Sequence, residues 1–397
     1  MATGTGVTYA KGFTAAGIAC GIKKNGNKDL AIVKCDAIAK AAGVFTRNIV
    51  KGHSLQLAKK NVSNGRAQLV IVNAGCANAC LGQRGDEDAL KMAQLAADRF
   101  GCHTEDVLTG STGVIGFPLP LDKLEAGVKA AELSKEGGAD AAQAIMTTDT
   151  IPKEVQTAMT IGGCEVRIGG MAKGSGMIHP NMATMISVVT TDANISLTGL
   201  RQALKETVAV SYNRISIDGD TSVCDKVLLL ASGLAGNDEI KPGSPEYAQF
   251  VEALKDVCIR ISKMLAADGE GATKLLTIDV RNVRSSKDAH LITSAIAKSP
   301  LCKTAAFGND ANWGRLLTAA GYSGARFAPE KVNIWIGNVQ VCKNGGGLKF
   351  DEAAALRELK QKEVTYTLDF ADGDACDTMW TCDFSLDYVK INADYRT

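Results

Sequence analysis

The sequence predicts a layered α+β fold rather than a pure parallel sheet. Three observations lead there. Strand and helix patterns are interspersed along all 397 residues. Many of the strand patterns come in hairpin-like pairs, which parallel sheets do not provide. Gly is frequent, at 41, while aromatics are only 5%, so the chain spends many positions on tight turns and close backbone approach.

The elements follow in order. Residues 13–22 and 29–35 are apolar runs around the polar turn Lys23–Lys28, a hairpin pattern. AQLVIV (67–72) reads as a buried strand. DEDALKMAQLAADRF (86–100) has apolar residues at helical spacing, an acidic start and Gly101 behind it, so it is expected to be a helix. Residues 107–109 lead into a Gly-rich stretch, 110–116, and residues 121–132 look helical. Residues 155–170 read as two strands around Gly162-Gly163. MISVVTT (185–191) and KVLLLA (226–231) are strand patterns, and 197–211 a helix. Residues 246–265 form the clearest amphipathic helix. Strands are expected at 275–281, 332–336, 364–370 and 386–391. At roughly 100–200 residues per domain the length allows two or three domains, and a composition shift at Arg281–Lys287 sets a boundary between 1–280 and 281–397.

Charge and cysteine content narrow the function. Lys+Arg is 44 and Asp+Glu 43, a net charge of +1, with no electrostatic footprint for nucleic acid or an acidic membrane. No run approaches the ~18 apolar residues that span a bilayer. The start, MATGTGVTYAKG, lacks the layout of a secretory signal. The twelve cysteines include no C-x-x-C pair and read as reduced, buried small hydrophobes. The expectation is a soluble intracellular protein. Four histidines, His53, His103, His179 and His290, leave little material for mechanisms that need several.

The most unusual segment is GGMAKGSGMIHPNMATM, 169–185. It is not a phosphate loop, because its Lys precedes the Gly-Ser-Gly. One reading is a plain surface loop. The other notes that Thr184 stands directly before a core strand, the layout of an N-terminal nucleophile enzyme. There the chain cuts itself before the Thr, and the new α-amine becomes the base for the adjacent hydroxyl. An α-amine with a pKa of roughly 8 can be neutral near neutral pH, and no His is required. TGSTGVIG (109–116) could aim backbone N–H groups and hydroxyls at one point, as an oxyanion hole does, or form a tight strand-to-helix connection. In DGEGATK (268–274), Gly269 is a helix stop, and Glu270 could hold a substrate amine or be solvated; TTDT (147–150) carries the same ambiguity. Asp218, Asp220 and Asp225 lack the rest of a calcium loop and read as turn and cap residues; no metal is expected.

Together these segments resemble the ornithine acetyltransferases, also called glutamate N-acetyltransferases, of arginine biosynthesis. KGFTAAG (11–17), GVFTRN (43–48), STGVIG (111–116), MTTDT (146–150), KGSGMIHPNMAT (173–184), DGDTS (218–222), DGEGATK (268–274), ANWGR (311–315) and YVKINADYRT (388–397) stand in the family's order across essentially the whole chain. The resemblance implies a layered α/β/β/α-type sandwich, shared with related aminopeptidases, and a smaller α/β C-terminal domain. It implies self-cleavage between Ala183 and Thr184 into an α chain of 183 residues and a β chain of 214. Thr184 would be the nucleophile, and Thr112 and Gly113 the oxyanion hole. Thr150, Lys173, Thr184, Glu270, Asn392 and Thr397 would bind substrate. The implied reaction is ping-pong transfer of acetyl from N2-acetyl-L-ornithine to L-glutamate through an acetyl-Thr ester, with no cofactor. Family members differ in accepting acetyl-CoA as donor, so that point stays open. The implied assembly is α2β2, cytoplasmic in a bacterium and plastid or mitochondrial in a eukaryote. His179, beside Pro180, is expected to shape the loop. Asn309 stands where the family usually has Arg, and Cys76 where an amide is usual. The rival readings are a Thr-nucleophile aminopeptidase and, more distantly, an uncut amino-acid-binding protein.

Overall fold

The computed structural model describes residues 4–179, 185–394. The fifteen strands and eleven α-helices among them alternate as β1 (Phe13–Ile18), β2 (Leu30–Phe45), α1 (His53–Asn61), β3 (Arg66–Cys76), α2 (Gln83–Phe100), β4 (Val107–Val114), α3 (Leu121–Ala130), α4 (Gly138–Ala144), β5 (Lys153–Ile161), β6 (Cys164–Lys173), β7 (Ile186–Thr191) and α5 (Leu197–Val210). There follow β8 (Ile215–Ser216), β9 (Lys226–Ala231), α6 (Pro245–Ala267), β10 (Leu275–Val283), α7 (Ser286–Lys298), α8 (Pro300–Phe307) and α9 (Trp313–Gly321). The chain closes with β11 (Asn333–Ile336), β12 (Val339–Lys343), β13 (Gly346–Gly347), α10 (Glu352–Leu359), β14 (Glu363–Asp369), β15 (Ala375–Cys382) and α11 (Leu386–Ala393). The α+β expectation is borne out. The chain forms two compact units, one of residues 1–174, 181–213 and 221–261, the other of 175–180, 214–220 and 262–397.

The first unit holds a mixed sheet in the order β4-β3-β2-β9-β7-β6-β5, with β1 also paired to β2. The predicted hairpins are present. β1 and β2 run antiparallel from Phe13↔Cys35 to Ile18↔Leu30. β5 and β6 meet through Gly162 and Gly163, whose φ of +58° and +79° give the left-handed turn that two adjacent glycines allow. Period-2 alternation sends β2 and β3 side chains to two cores. Ala31, Val33, Val70 and Val72 face a cluster with α4 residues Ala141 and Ala142. Leu30, Ile32, Leu69 and Ile71 face another, with Met92, Ala93 and Ala96 of α2 and Leu124 and Val128 of α3. Helices therefore cover both faces of this part of the sheet, and the alanine-rich helix faces let them approach closely. Gly101 ends α2 in the left-handed conformation, as its position behind the amphipathic run predicts.

The second unit is built on a sheet ordered β13-β12-β11-β14-β10-β15-β8. β10 pairs parallel with β14 and antiparallel with β15. Its inward residues Leu276, Ile278 and Val280 pack on Ile292 and Ile296 of α7 and on Leu316 and Ala320 of α9.

One element differs in type. Residues 386–391 are not a strand but the first part of α11. The Ser385 hydroxyl accepts the Asp387 N–H at 3.1 Å and caps the helix. Leu386 and Val389, which suggested a buried strand, are 81% and 66% exposed. α1, α4 and the helices between β10 and β11 lie where no element was expected. All twelve cysteines are free. Among the described residues no helix is long and apolar enough to cross a membrane.

The closeness of the helix-to-sheet contact gives a test. A Cβ on Gly17 of β1 would lie 1.9 Å from the carbonyl oxygen of Asp140 in α4. The Gly17→Ala variant should lose about 1–3 kcal/mol through overpacking, read as a lower urea midpoint with an unchanged slope.

Candidate active site

In the first unit β3 and β4 run parallel, with Ala74 opposite Thr112 and Gly75 opposite Gly113, and an irregularity at Cys76. Gly113 has φ +127°, and a Cβ on it would lie 2.4 Å from the Gly75 carbonyl carbon. No other residue fits, so the Gly113 N–H is set by the strand ends, not by a mobile turn. Thr112 is buried, and its Oγ1 accepts from Lys173 Nζ at 3.3 Å. Lys173 is the last residue of β6 and pairs with Ile186, the first of β7.

A cluster of buried charge fixes this corner. Asp149 Oδ1 accepts from Lys153 Nζ at 2.7 Å and from the Gly174 N–H at 2.6 Å. Burial alone would raise the Asp149 carboxyl. The charges of Lys173 and Lys153, with the Lys153 and Gly174 hydrogen bonds, outweigh it and bring the group down to about 2. From the turn between β1 and β2, Lys23 donates to the carbonyls of Lys28 and Ala144. Burial lowers its ammonium, opposed by Asp29 and Asp149 and assisted by Lys173. Thr150, beside Asp149, is exposed.

At the start of β9 stand Asp225 and Lys226. Lys226 is fully buried, donates to the Thr109 carbonyl at 2.9 Å, and is lowered by burial to about 8. Asp225 is 1% exposed. Burial raises its carboxyl well above the usual range, against the pull of Lys173, Ser222, Lys226 and the Met185 N–H. Asp225 is therefore a core residue, not the turn or cap residue the sequence suggested. Its place directly before KVLLLA was the overlooked signal.

The second unit gathers the other predicted residues. Glu270 is buried, and its Oε2 accepts from Asn392 Nδ2 of α11 at 2.8 Å. Its own N–H donates to the Ser175 carbonyl at 2.8 Å. A Cβ on Gly176 would lie 2.3 Å from Glu270 Oε2, so the glycine lets the carboxylate lie against the backbone. The end of the chain thus bears on Glu270 through Asn392. Asp218 accepts from the N–H groups of Met177, Ile178 and Asp220, a turn-holding role. His179 Nδ1 lies 3.3 Å from Ser216 Oγ. Burial, then the charges of Lys298 and His290, lower His179 to about 4, so it is neutral at pH 7. Asn309 adopts φ +55° and accepts from Lys274 Nζ at 2.6 Å, while Cys76 is buried and donates to the Phe117 carbonyl at 3.2 Å.

The structure thus brings Thr112, Gly113 and Lys173 together in one unit, and Glu270 and Asn392 in the other. Ala183, Thr184 and Thr397 lie outside the described residues. Among the described residues no cluster of His, Cys, Asp and Glu could hold a metal ion. A buried cation beside a hydroxyl and a pinned backbone N–H is suited to receiving a developing oxyanion. Sequence reasoning missed Lys23, Lys153 and Lys226; nothing local marks the half-buried Lys23 of a turn or the buried Lys153 and Lys226 of strands as part of this charge cluster.

Comparison with known proteins adds the relatives. The ArgJ family model matches residues 14–397. The arginine biosynthesis bifunctional protein ArgJ of Symbiobacterium thermophilum is 51% identical, over 99% of this chain and 98% of the relative. That of Caldanaerobacter subterraneus is 48% identical, over 98% of each. A crystal structure of arginine biosynthesis bifunctional protein ArgJ from Bacillus halodurans, 41% identical, matches with a TM-score of 0.52 over 53% of this chain and 99% of its own.

The Asp149 cluster predicts an acid-sensitive stability. Its folded value of about 2 lies below the ~3.9 of an unfolded Asp. Its contribution is complete above the unfolded value and is lost as pH falls through the folded one. Asp149→Ala leaves Lys153 buried without its carboxylate and should cost about 3–5 kcal/mol at pH 7. Urea unfolding at several pH values should show that this deficit shrinks as the pH is taken from about 5 toward 2.

Proposed function

The chain belongs to the ArgJ family, and we propose that it is the ornithine acetyltransferase of arginine biosynthesis, moving acetyl from N2-acetyl-L-ornithine to L-glutamate. The observation that carries this reading is the joining of Lys173, Thr112 and Gly113 at the strand ends of one unit. Thr184 stands two residues before the Ile186 that pairs with Lys173. As an N-terminal residue it would attack the acetyl carbonyl, its own α-amine taking the hydroxyl proton. The Gly113 N–H and the Thr112 hydroxyl would hold the tetrahedral oxyanion. Thr112 accepts from Lys173, so its hydroxyl proton remains free to donate. Ornithine then leaves with the proton from the α-amine, and an acetyl-Thr184 ester remains. Glutamate enters, its amine attacks the ester carbonyl, and N-acetylglutamate departs.

Lys173 is suited to the α-carboxylate that both substrates share. Glu270 would meet the ornithine side-chain ammonium, oriented by Asn392, with Thr150 and Thr397 completing the contacts. We take the maturation to be the cut between Ala183 and Thr184 and the assembly to be two α and two β chains in the cytoplasm.

The first test is intact mass. The wild type should give two chains of roughly 19 and 22 kDa, the larger beginning at Thr184, and Thr184→Ala one chain of 41.6 kDa. With N-acetylornithine and no glutamate, the larger chain should gain one acetyl group. Free acetate in place of acetyl transfer would turn the reading toward a hydrolase. Thr112→Val should lower kcat by about 10²–10³ with a smaller change in KM, the cost of losing one oxyanion donor.

A further inference from the structure

The two substrates of the proposed reaction differ at one end only. Both carry an α-carboxylate, which Lys173 suits. Ornithine then ends in an ammonium, and glutamate in a second carboxylate. A carboxylate such as that of Glu270 fits the first end and repels the second. Glutamate therefore calls for a second cation beside Lys173.

The first unit holds one. Lys23 lies in the turn between β1 and β2, above the ends of β3 and β4. A Cβ on Gly75 would lie 3.7 Å from Lys23 Cγ, and Gly75 is the strand partner of Gly113. The Lys23 stem thus rests over the two glycines that set the Gly113 N–H. Its Nζ donates to the Lys28 carbonyl at 2.6 Å and to the Ala144 carbonyl at 3.4 Å. An ammonium has three N–H donors, so one is left for a ligand. Ala144 ends α4, and the chain runs from there into TTDT (147–150).

Charge in this corner does not balance. The carboxylates that bear on Lys23 are Asp29 and Asp149. Asp29 is taken up by three backbone N–H groups, those of Cys20, Ile22 and Lys23 itself. Asp149 is taken up by Lys153 and by the N–H groups of Gly174 and Thr147. Among the described residues neither Lys23 nor Lys173 forms an ion pair. Lys173 is buried and Lys23 half-buried, and the charge of Lys173 acts against that of Lys23. A cation withdrawn from water without a counter-ion is costly. A ligand with two carboxylates relieves both lysines, whereas one with a carboxylate and an ammonium relieves one.

We propose that Lys23 selects glutamate as the acetyl acceptor, its ammonium taking the side-chain carboxylate while Lys173 takes the α-carboxylate. This rests on the reading of Thr112, Gly113 and Lys173 as the acetyl-transfer site. Lys23 binds the acceptor and moves no proton. For ornithine it is a repelling charge, which favours release of the first product and entry of glutamate in its place.

The test pairs a substitution with a change of acceptor. Acetyl transfer from N-acetylornithine is measured to L-glutamate and to L-glutamine, which keeps the shape and loses the side-chain charge. The wild type should favour glutamate in kcat/KM by about 10–100-fold, the worth of one charged hydrogen bond. Lys23→Met keeps the stem over Gly75. It should abolish the preference by lowering kcat/KM for glutamate, while kcat/KM for N-acetylornithine holds or rises. Lys23→Arg should restore part of the preference. Equal losses with glutamate and glutamine in Lys23→Met would mark the lysine as structural and overturn the proposal. The acetyl-enzyme formed from N-acetylornithine alone separates the two levels. If the wild type forms none, the underlying reading falls with the proposal; if it forms and the acceptor preference ignores Lys23, the proposal alone falls. Should Lys23→Met not fold, the wild type decides: glutamine accepted within about threefold of glutamate excludes a cation at the side-chain carboxylate, and a preference of about tenfold or more that Lys23→Arg weakens supports it.

Discussion

The buried Asp149 carboxylate is the constraint from which the first unit's site takes its shape. One oxygen receives both the Lys153 ammonium and the Gly174 N–H. Lys153 opens β5 and Gly174 follows β6, so a single acceptor fixes the far ends of one hairpin. Lys173 is thereby held where β6 stops, in reach of Thr112. A charge buried this deeply is tolerable only because its partners are in place. The site geometry and the stability of the β5–β6 hairpin are therefore one property.

Glycine supplies the other half of that geometry. Gly113 lies in a conformation that a side chain would clash with, and Gly75 opposite it would meet Ile22 of the β1–β2 turn. The unusual glycine content of the chain is spent where two strand ends approach each other and the turn above them. The same holds at Gly176, where the backbone makes room for Glu270. Low aromatic content has a matching use: the helices over the first sheet present alanines, so they sit close to it.

Most of the fold was legible because its strands alternate cleanly and its hairpins carry turn glycines. KVLLLA, AQLVIV and the amphipathic run 246–265 each specify their element without help from tertiary structure. LDYVKI in α11 did not, because Leu386 and Val389 face solvent and the Ser385 cap marks a helix start. Of the site, motif resemblance supplied Thr112, Gly113, Lys173, Glu270 and Asn392. The supporting charges were invisible. Lys23, Lys153, Lys226 and Asp225 look like surface residues in a linear reading. Burial comes from neighbours distant in sequence, and only those neighbours create the electrostatics.

The order of the first sheet has a consequence for the life of the molecule. β9 and β7 lie side by side in its middle, flanked by β2 on one side and β6 on the other. A cut before Thr184 assigns the two inner strands to one polypeptide and their flanking strands to the other. The halves would then be interleaved like fingers, unable to part without tearing two strand pairings in the sheet interior. Such a cut costs the folded molecule little but changes the statistics of unfolding. One chain that could refold alone becomes two that must find each other again, so the reach of recovery would depend on dilution. The mature protein would persist because it rarely opens, not because it readily re-forms.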